Sequence, residues 1–470
     1  MTAARVLAEW ATGLRPGDLP EEVREAACRH LLDGFGAALA AGRAGAAGPA
    51  LTVARGLGGA PESALLGTGE RGSAVAAALA TGTLVHALDF DDTHAGGLVH
   101  ATAVVLPAAL AVGEQVGASG AEVLTAAVAG YETVCRVAAA APHAFHGRGL
   151  HATMACGVLS AAVVASRLLG LDADTAVNAL GVAGSQAGGL LEFLSTGAST
   201  KQLHPGFASA SGILAARLAA AGASGPDSVL EGPHGLYAAL AGRTVDAADV
   251  TRGLGEAWET TRVTVKPYPA CQLMHATLDA VAEAMRVAGL RRVDAADVVE
   301  VVADVHPDSA SIVCEPAARK VAPRTPYDAK FSLPWSAAAL LLDGAVTLAT
   351  YAPGSLARPE VADLAARVRT VVTSGGAEAE GVAADAPGRV LLRLADGREI
   401  EGRVPRSVGG PDRPLGDAAL DAKFTANAGG PAPEAAELAR RVRGLAAEPD
   451  LTTIVALADR LARPAPEVHA

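Results

Sequence analysis

The chain has 470 residues, is half apolar and only 19% charged, and carries a formal net charge of −12. That length fits two domains with a large buried core, and scattered Lys and Arg under a negative balance exclude the basic stripe that nucleic acid requires. Apolar runs such as 101–112 fall short of the roughly 20 residues of a membrane span, and Met1–Trp10 lacks the long apolar run of a secretory leader, so a soluble cytoplasmic protein is expected.

Residues 20–41 open with Pro-Glu-Glu and set Val23, Ala27, Leu31, Leu32 and Phe35 at helical spacing. Residues 61–67 read as a short extended piece, and 72–88 as an Ala/Leu/Val helix leading into an acidic stretch. Helices follow over 101–116, 121–136, 154–169 and 173–187, divided by Gly, Pro or Asp. Aromatics are only 3% of the chain, so these helices are expected to pack through small side chains as a bundle. The texture changes across 249–269. Beyond it 273–287 and 328–342 read as helices and 298–306 as a strand. Strands are also expected at 368–374, 390–394 and 399–404, with an Asp396-Gly397 hairpin turn between the last two. Residues 434–463 return to helix, and 463–470 are expected to fray. Cys28, Cys135, Cys156, Cys271 and Cys314 lie far apart without CxxC pairing and read as buried, reduced thiols.

Three stretches carry candidate chemistry. Between His86 and His100 lie three carboxylates, three imidazoles and the Thr93 hydroxyl. A helix through this stretch would put Asp89, Asp92 and Thr93 on one face with Asp91 turned aside. Gly96-Gly97 would then free the backbone to return His100 to that face. Asp89, Asp91, Asp92 and two histidines would suit Mg²⁺ or Mn²⁺, but no second carboxylate cluster complements them, and a metal-free catalytic wall is the preferred reading. The second stretch, Ser199-Thr200-Lys201 ahead of a small-residue helix, can hold a carboxylate through backbone N–H groups and an ammonium. The third runs from Lys266-Pro267-Tyr268-Pro269 to His275, which is expected about one turn into a helix. No glycine-rich phosphate motif is visible.

His86-Ala-Leu-Asp-Phe-Asp-Asp-Thr, Gly149-Leu-His151-Ala-Thr153, Thr200-Lys201-Gln-Leu-His204-Pro205-Gly206, Lys266-Pro267-Tyr268-Pro269 and Asp328-Ala-Lys330-Phe331-Ser332-Leu333-Pro334 occur in the order and spacing of the MmgE/PrpD family, which this chain resembles from about Val6 to about Arg460. The resemblance implies a mainly α fold, with a large all-helical domain (1–262 and 434–470) and a smaller α+β lid domain (263–433), and it implies a homodimer. It implies a cofactor-free enzyme that handles a proton on a carbon next to a carboxylate of a small substrate. Asp89, Thr93, His100, Lys201 and His275 sit at the family's site positions. His100 and His275 are expected to act as base and acid. Lys201, with Ser199, Thr200, Lys266 and Lys320, would hold carboxylates, while Asp89 orients a histidine or a substrate hydroxyl. Thr93, His94 and His151 are expected to contact substrate. The interval from Thr93 to His100 is one residue longer than in the family's decarboxylases, and no tyrosine stands where they place one, near Arg319-Lys320, Tyr327 being close in sequence but outside that motif. Dehydration of a hydroxy di- or tricarboxylate of the 2-methylcitrate kind is therefore the leading expectation, ahead of epimerisation or isomerisation and of cis-aconitate-type decarboxylation. A non-catalytic binding scaffold comes last.

Overall fold

The computed structural model describes residues 1–373 and 383–464; Ser374 and the tail at 465–470, for which a strand end and fraying were expected, lie outside the described residues. The chain is mainly α and divides into two compact units. The first is Met1–Leu191, Thr200–Val265 and Gly416–Ala470, and the second is Glu192–Ser199 with Lys266–Leu415.

The helices of the first unit that matter here are α1 (Glu21–Arg43), α2 (Ala74–His86), α3 (Ala101–Val116), α4 (Gly120–Ala139), α5 (Ala152–Leu168) and α6 (His204–Ala220). Helix α6 packs on α2, α3 and α5. It does so closely because glycines meet backbone: a Cβ on Gly206 would lie 2.4 Å from the Leu79 carbonyl oxygen, and one on Gly82 would lie 2.7 Å from the Gly206 backbone. Ser209 adds a hydrogen bond to the Val104 carbonyl on α3 at 2.9 Å. One consequence is that the C-terminal end of α2, at His86, and the N-terminal end of α6, at Lys201 and His204, are drawn together. The unit is not all-helical. It contains two short antiparallel ladders, β1 (Ser63–Leu65) with β2 (Glu70–Gly72), and β3 (Thr93–His94) with β4 (Val263–Thr264). The expected helix over 434–463 is two, Pro433–Arg443 and Thr452–Leu461, interrupted where Gly444 and Pro449 fall.

The second unit carries a four-stranded sheet in the order β6-β5-β7-β8, from β5 (Val298–Val305), β6 (Val368–Val372), β7 (Gly388–Leu394) and β8 (Glu399–Val404). Strands β7 and β8 form the expected hairpin, with Gly397 at φ 90. Helix α7 (His275–Val287) lies on β7 and β8, where Gly402 leaves no room for a side chain: its Cβ would be 1.9 Å from the Ala280 carbonyl oxygen. The helix expected over 328–342 is again two pieces, Pro326–Ala329 and α8 (Leu333–Asp343), because Ser332 caps a fresh start and Pro334 follows it. All five cysteines are free and buried.

Gly206→Ala is expected to lower unfolding stability by about 1–3 kcal/mol through overpacking against Leu79 and Thr83. Gly13→Ala, at an exposed helix end with nothing within 4 Å, is the control and should be neutral or slightly stabilising. Urea unfolding of the two variants checks this; equal midpoints would contradict the close-contact argument.

Candidate active site

The acidic stretch is not a helix. Helix α2 ends at His86, and Asp89 adopts the left-handed conformation at φ 52, which turns the chain. Asp and Asn tolerate that region better than other side chains because they can hydrogen-bond locally. The shared helical face for Asp89, Asp92 and Thr93 therefore does not form, and Asp91 is not turned aside. Past β3 the chain folds back on itself: the His94 N–H donates to the Val99 carbonyl at 2.8 Å, and Leu98 takes a left-handed φ of 51. Gly97 serves here by absence of a side chain, since a Cβ would lie 2.5 Å from Ala138 Cβ. The reversal delivers His100 to the start of α3.

A buried network results. The His86 Nδ1–H donates to Asp91 Oδ2 at 2.7 Å, and His100 Nδ1 lies 3.6 Å from the same oxygen. The His100 Nδ1–H donates to the Asp92 carbonyl at 2.9 Å, with Thr93 Oγ1 at 3.3 Å. A carbonyl oxygen only accepts, so this contact puts the proton on Nδ1 and leaves Nε2 as the basic atom of His100. Asp92 accepts from the Thr102 N–H at 3.0 Å and from the Thr102 hydroxyl, which also meets the Tyr131 hydroxyl at 2.6 Å. It thereby caps α3 in place of a side-chain N-cap. Thr153 Oγ1 accepts the His100 N–H at 3.1 Å. The rings of His86, His100 and His151 lie 4.5–5.7 Å apart, and His151 Nδ1 is 3.1 Å from His204 Nδ1.

Lys201 Nζ donates to Asp89 Oδ1 at 2.8 Å, both groups buried, and Gln202 donates to the Ala87 carbonyl at 2.9 Å. From the helix Asp417–Asn427, Lys423 pairs with Asp33 of α1 at 2.6 Å, donates to the Phe90 carbonyl at 2.9 Å and lies 4.0 Å from the Phe90 ring centroid. The turn is thus gripped on both sides of Phe90.

Of the expected site residues, the first unit brings together Asp89, Thr93, His100, His151 and Lys201. His94 is spent on the fold: its Nε2–H donates to Glu259 at 2.9 Å and its Nδ1 accepts the Gly97 N–H at 3.2 Å. Thr200 is exposed. His275, Lys266, Lys320 and Ser199 belong to the second unit. There the His275 Nε2–H donates to the Ala270 carbonyl at 3.1 Å, with the Tyr268 ring 5.3 Å away, so Nδ1 is its basic atom. Lys266 is buried and Ser199 is exposed. Lys320 donates to the carbonyls of Ile312 and Phe331, each at 2.7 Å, which is a fold-holding arrangement. Sequence reasoning weighed Asp91 and histidines of this stretch only as metal ligands, and gave His86, Asp91 and His204 no place in the metal-free site. The five-residue interval from His86 to Asp91 was a usable signal, since across a helix end it returns a carboxylate to an imidazole.

Among the described residues, ligand atoms of His86, His100 and His151, and of His86, Asp89, Asp91 and His100, come within 4.8 Å of one another. Asp89 already pairs with the Lys201 ammonium and the Nδ1 atoms of His86 and His100 already donate, so the set is self-compensated as a hydrogen-bonded acid–base network. Burial sets its charge states. It pushes His30, His146 and His204 down to about 4, and His151 well below its ordinary range, with Lys201 adding to the last. Burial also lowers His86, against the pull of Asp91. Asp92 is pushed up to about 7 by burial, against its bonds from Thr102, and burial raises Tyr131 well above its usual range.

A mostly helical unit holding a buried histidine–carboxylate–lysine cluster, in a chain that also carries an α+β unit, defines the class. The family profile of the MmgE/PrpD N-terminal domain matches residues 5–248 and that of the MmgE/PrpD C-terminal domain matches residues 268–446. The chain belongs to the MmgE/PrpD family. It is 28% identical over 425 residues to a cis-aconitate decarboxylase of Aspergillus terreus, covering 86% of this chain and 84% of that protein. It is 31% identical to a cis-aconitate decarboxylase-like protein of Aspergillus oryzae (60% and 61% covered) and 27% identical to the human cis-aconitate decarboxylase (75% and 72% covered). No helix among the described residues is long and apolar enough to cross a membrane.

Histidines held neutral by burial bind fewer protons folded than unfolded once the pH falls below their ordinary value. Their stabilising effect is complete above about 6.5 and is lost as the pH drops towards 4. Asp92 and Asp279, both raised by burial, have the opposite sign, Asp92 weakening the fold as pH rises from its ordinary value to about 7, but they are two groups against five. The melting temperature is expected to fall steadily between pH 6.5 and 4.5; a flat or rising profile in that window would contradict the buried neutral cluster.

Proposed function

We propose that this chain is a lyase acting on a small di- or tricarboxylate through its own side chains, without a cofactor. The observation that carries this reading is His100: its Nδ1–H is fixed on the Asp92 carbonyl at 2.9 Å, so Nε2 is the proton-exchanging atom, in a cluster that also holds the Lys201–Asp89 pair. The Lys201 ammonium, which donates to Asp89, is proposed also to hold a substrate carboxylate as a charge-assisted bond.

The names of the relatives make decarboxylation of a cis-aconitate-type tricarboxylate the first reaction to test. In it a C–C bond breaks, CO₂ leaves, the electron pair passes into the conjugated system and an imidazolium delivers a proton to carbon. Dehydration of a hydroxy tricarboxylate such as 2-methylcitrate is the second reading, supported by the longer Thr93–His100 interval and by the lack of a tyrosine at the decarboxylases' motif position near Arg319-Lys320, which Tyr327 does not fit. In it the imidazole removes a proton next to a carboxylate, the electron pair forms the C=C bond as the C–O bond breaks, and the leaving hydroxyl takes a proton from the second proton-exchanging group and departs as water. The two differ in the starting protonation of the base, so kcat/KM falls with rising pH through the histidine limb for the decarboxylase and rises for the dehydratase. His275, through Nδ1, is carried in this proposal as the second proton-exchanging group.

A proton NMR time course in D₂O with cis-aconitate, 2-methylcitrate, citrate and related hydroxy and imino diacids tests the reading. New alkene signals with loss of CO₂ or water are expected, and His100→Gln should lower kcat by about 10²-fold or more. Deuterium uptake into an unchanged skeleton would replace the lyase by an epimerase, and near-normal turnover by His100→Gln would overturn the site.

A further inference from the structure

We propose that Asp91 is the positioning residue for proton exchange at His100, a single carboxylate shared between His100 and His86, with His86 competing for its charge. The proposal rests on the reading of His100 as the proton-exchanging group. Asp91 Oδ2 receives the His86 Nδ1–H at 2.7 Å and lies 3.6 Å from His100 Nδ1, while the two rings are 4.5 Å apart. The Asp91 and His86 side chains are fully buried and that of His100 is 9% exposed, so water screens their interaction poorly.

When Nε2 of His100 takes a proton, the ring becomes a cation with both N–H groups filled. The Asp92 carbonyl offers it a dipole, and Asp91 offers a full negative charge. Among the described residues, the charged or titratable groups of this unit that act on these three residues include Asp89 and Asp92 from the turn, His151 from α5, Lys201 just ahead of α6 and His204 at its start. Asp89 is tied to Lys201, which offsets the ammonium that would otherwise oppose a His100 cation, and Asp92 is tied to Thr102. Asp91 therefore tunes how readily His100 accepts and returns its proton, and the hydrogen bond from His86 weakens that influence by drawing charge from the same oxygen. His86 has a second mark of this role: its Nε2 is buried and has no hydrogen-bond partner among the described residues, so the ring's polar interaction is directed at Asp91.

The test is an NMR pH titration of the His100 ring in the full chain, assigned by the signal lost in His100→Gln, compared among wild type, Asp91→Asn and His86→Phe. Asp91→Asn should move the His100 midpoint to lower pH by about one unit or more. His86→Phe keeps the ring shape and frees the carboxylate, so it should move the midpoint to higher pH. The histidine limb of kcat/KM should shift in the same two directions. Shifts in one common direction, or none, would overturn the proposal, because a purely structural role for Asp91 has no reason to give opposite signs. If Asp91→Asn does not fold, the upward shift in His86→Phe decides alone. Should His100→Gln keep its turnover while the opposite shifts appear, the functional reading fails and the electrostatic coupling stands.

Discussion

The structure turns on one buried ion pair. Lys201 and Asp89 meet at 2.8 Å across 112 residues of sequence, and Asp89 does so from a left-handed backbone conformation. Such a residue costs about 1–3 kcal/mol unless its surroundings hold it there. Lys201 holds it from the α6 side, while Lys423, paired with Asp33, fastens the adjoining Phe90 carbonyl. Continuing α2 past His86 would have carried Asp91 and Asp92 away from His86 and Thr102. The left-handed turn presents them instead as a carboxylate for two imidazoles and a cap for α3.

The close helix packing and the cluster have one cause. Gly82 and Gly206 let α2 and α6 approach until backbone meets backbone, and His86 lies one turn beyond Gly82 as Lys201 and His204 lie just before Gly206. In that dry space burial favours neutral imidazoles, and hydrogen bonds to a carboxylate and a carbonyl fix which ring nitrogen carries the proton. A base whose proton-accepting atom is set by fixed dipoles needs little reorganisation when it reacts.

Much of this was legible along the chain. The bounds 101–116 and the Asp396-Gly397 hairpin follow from local patterning and appear in the structure as read. Asp89, Thr93, His100, His151 and Lys201 were singled out from motifs and now stand in one cluster. The illegible part is where one residue overrides a local pattern. A helix through 86–93 separates His86 from Asp91, and only the turn at Asp89 joins them. The Gly82–Gly206 contact carries no local signature, since each glycine looks like any other in an Ala/Gly-rich helix. Ser199 and Thr200 read as an anion-binding turn; in the structure both are exposed, and the buried group of that turn is the Lys201 ammonium on Asp89.

A double-mutant cycle on unfolding stability with Asp89→Asn and Lys201→Met tests the central pair most directly, Asn being chosen because it also tolerates the left-handed turn. Each single change strands a buried partner and should cost about 3–5 kcal/mol, whereas the double variant should cost far less than their sum. Additive losses, or single losses within about 0.5 kcal/mol of zero as for a surface site, would contradict the account.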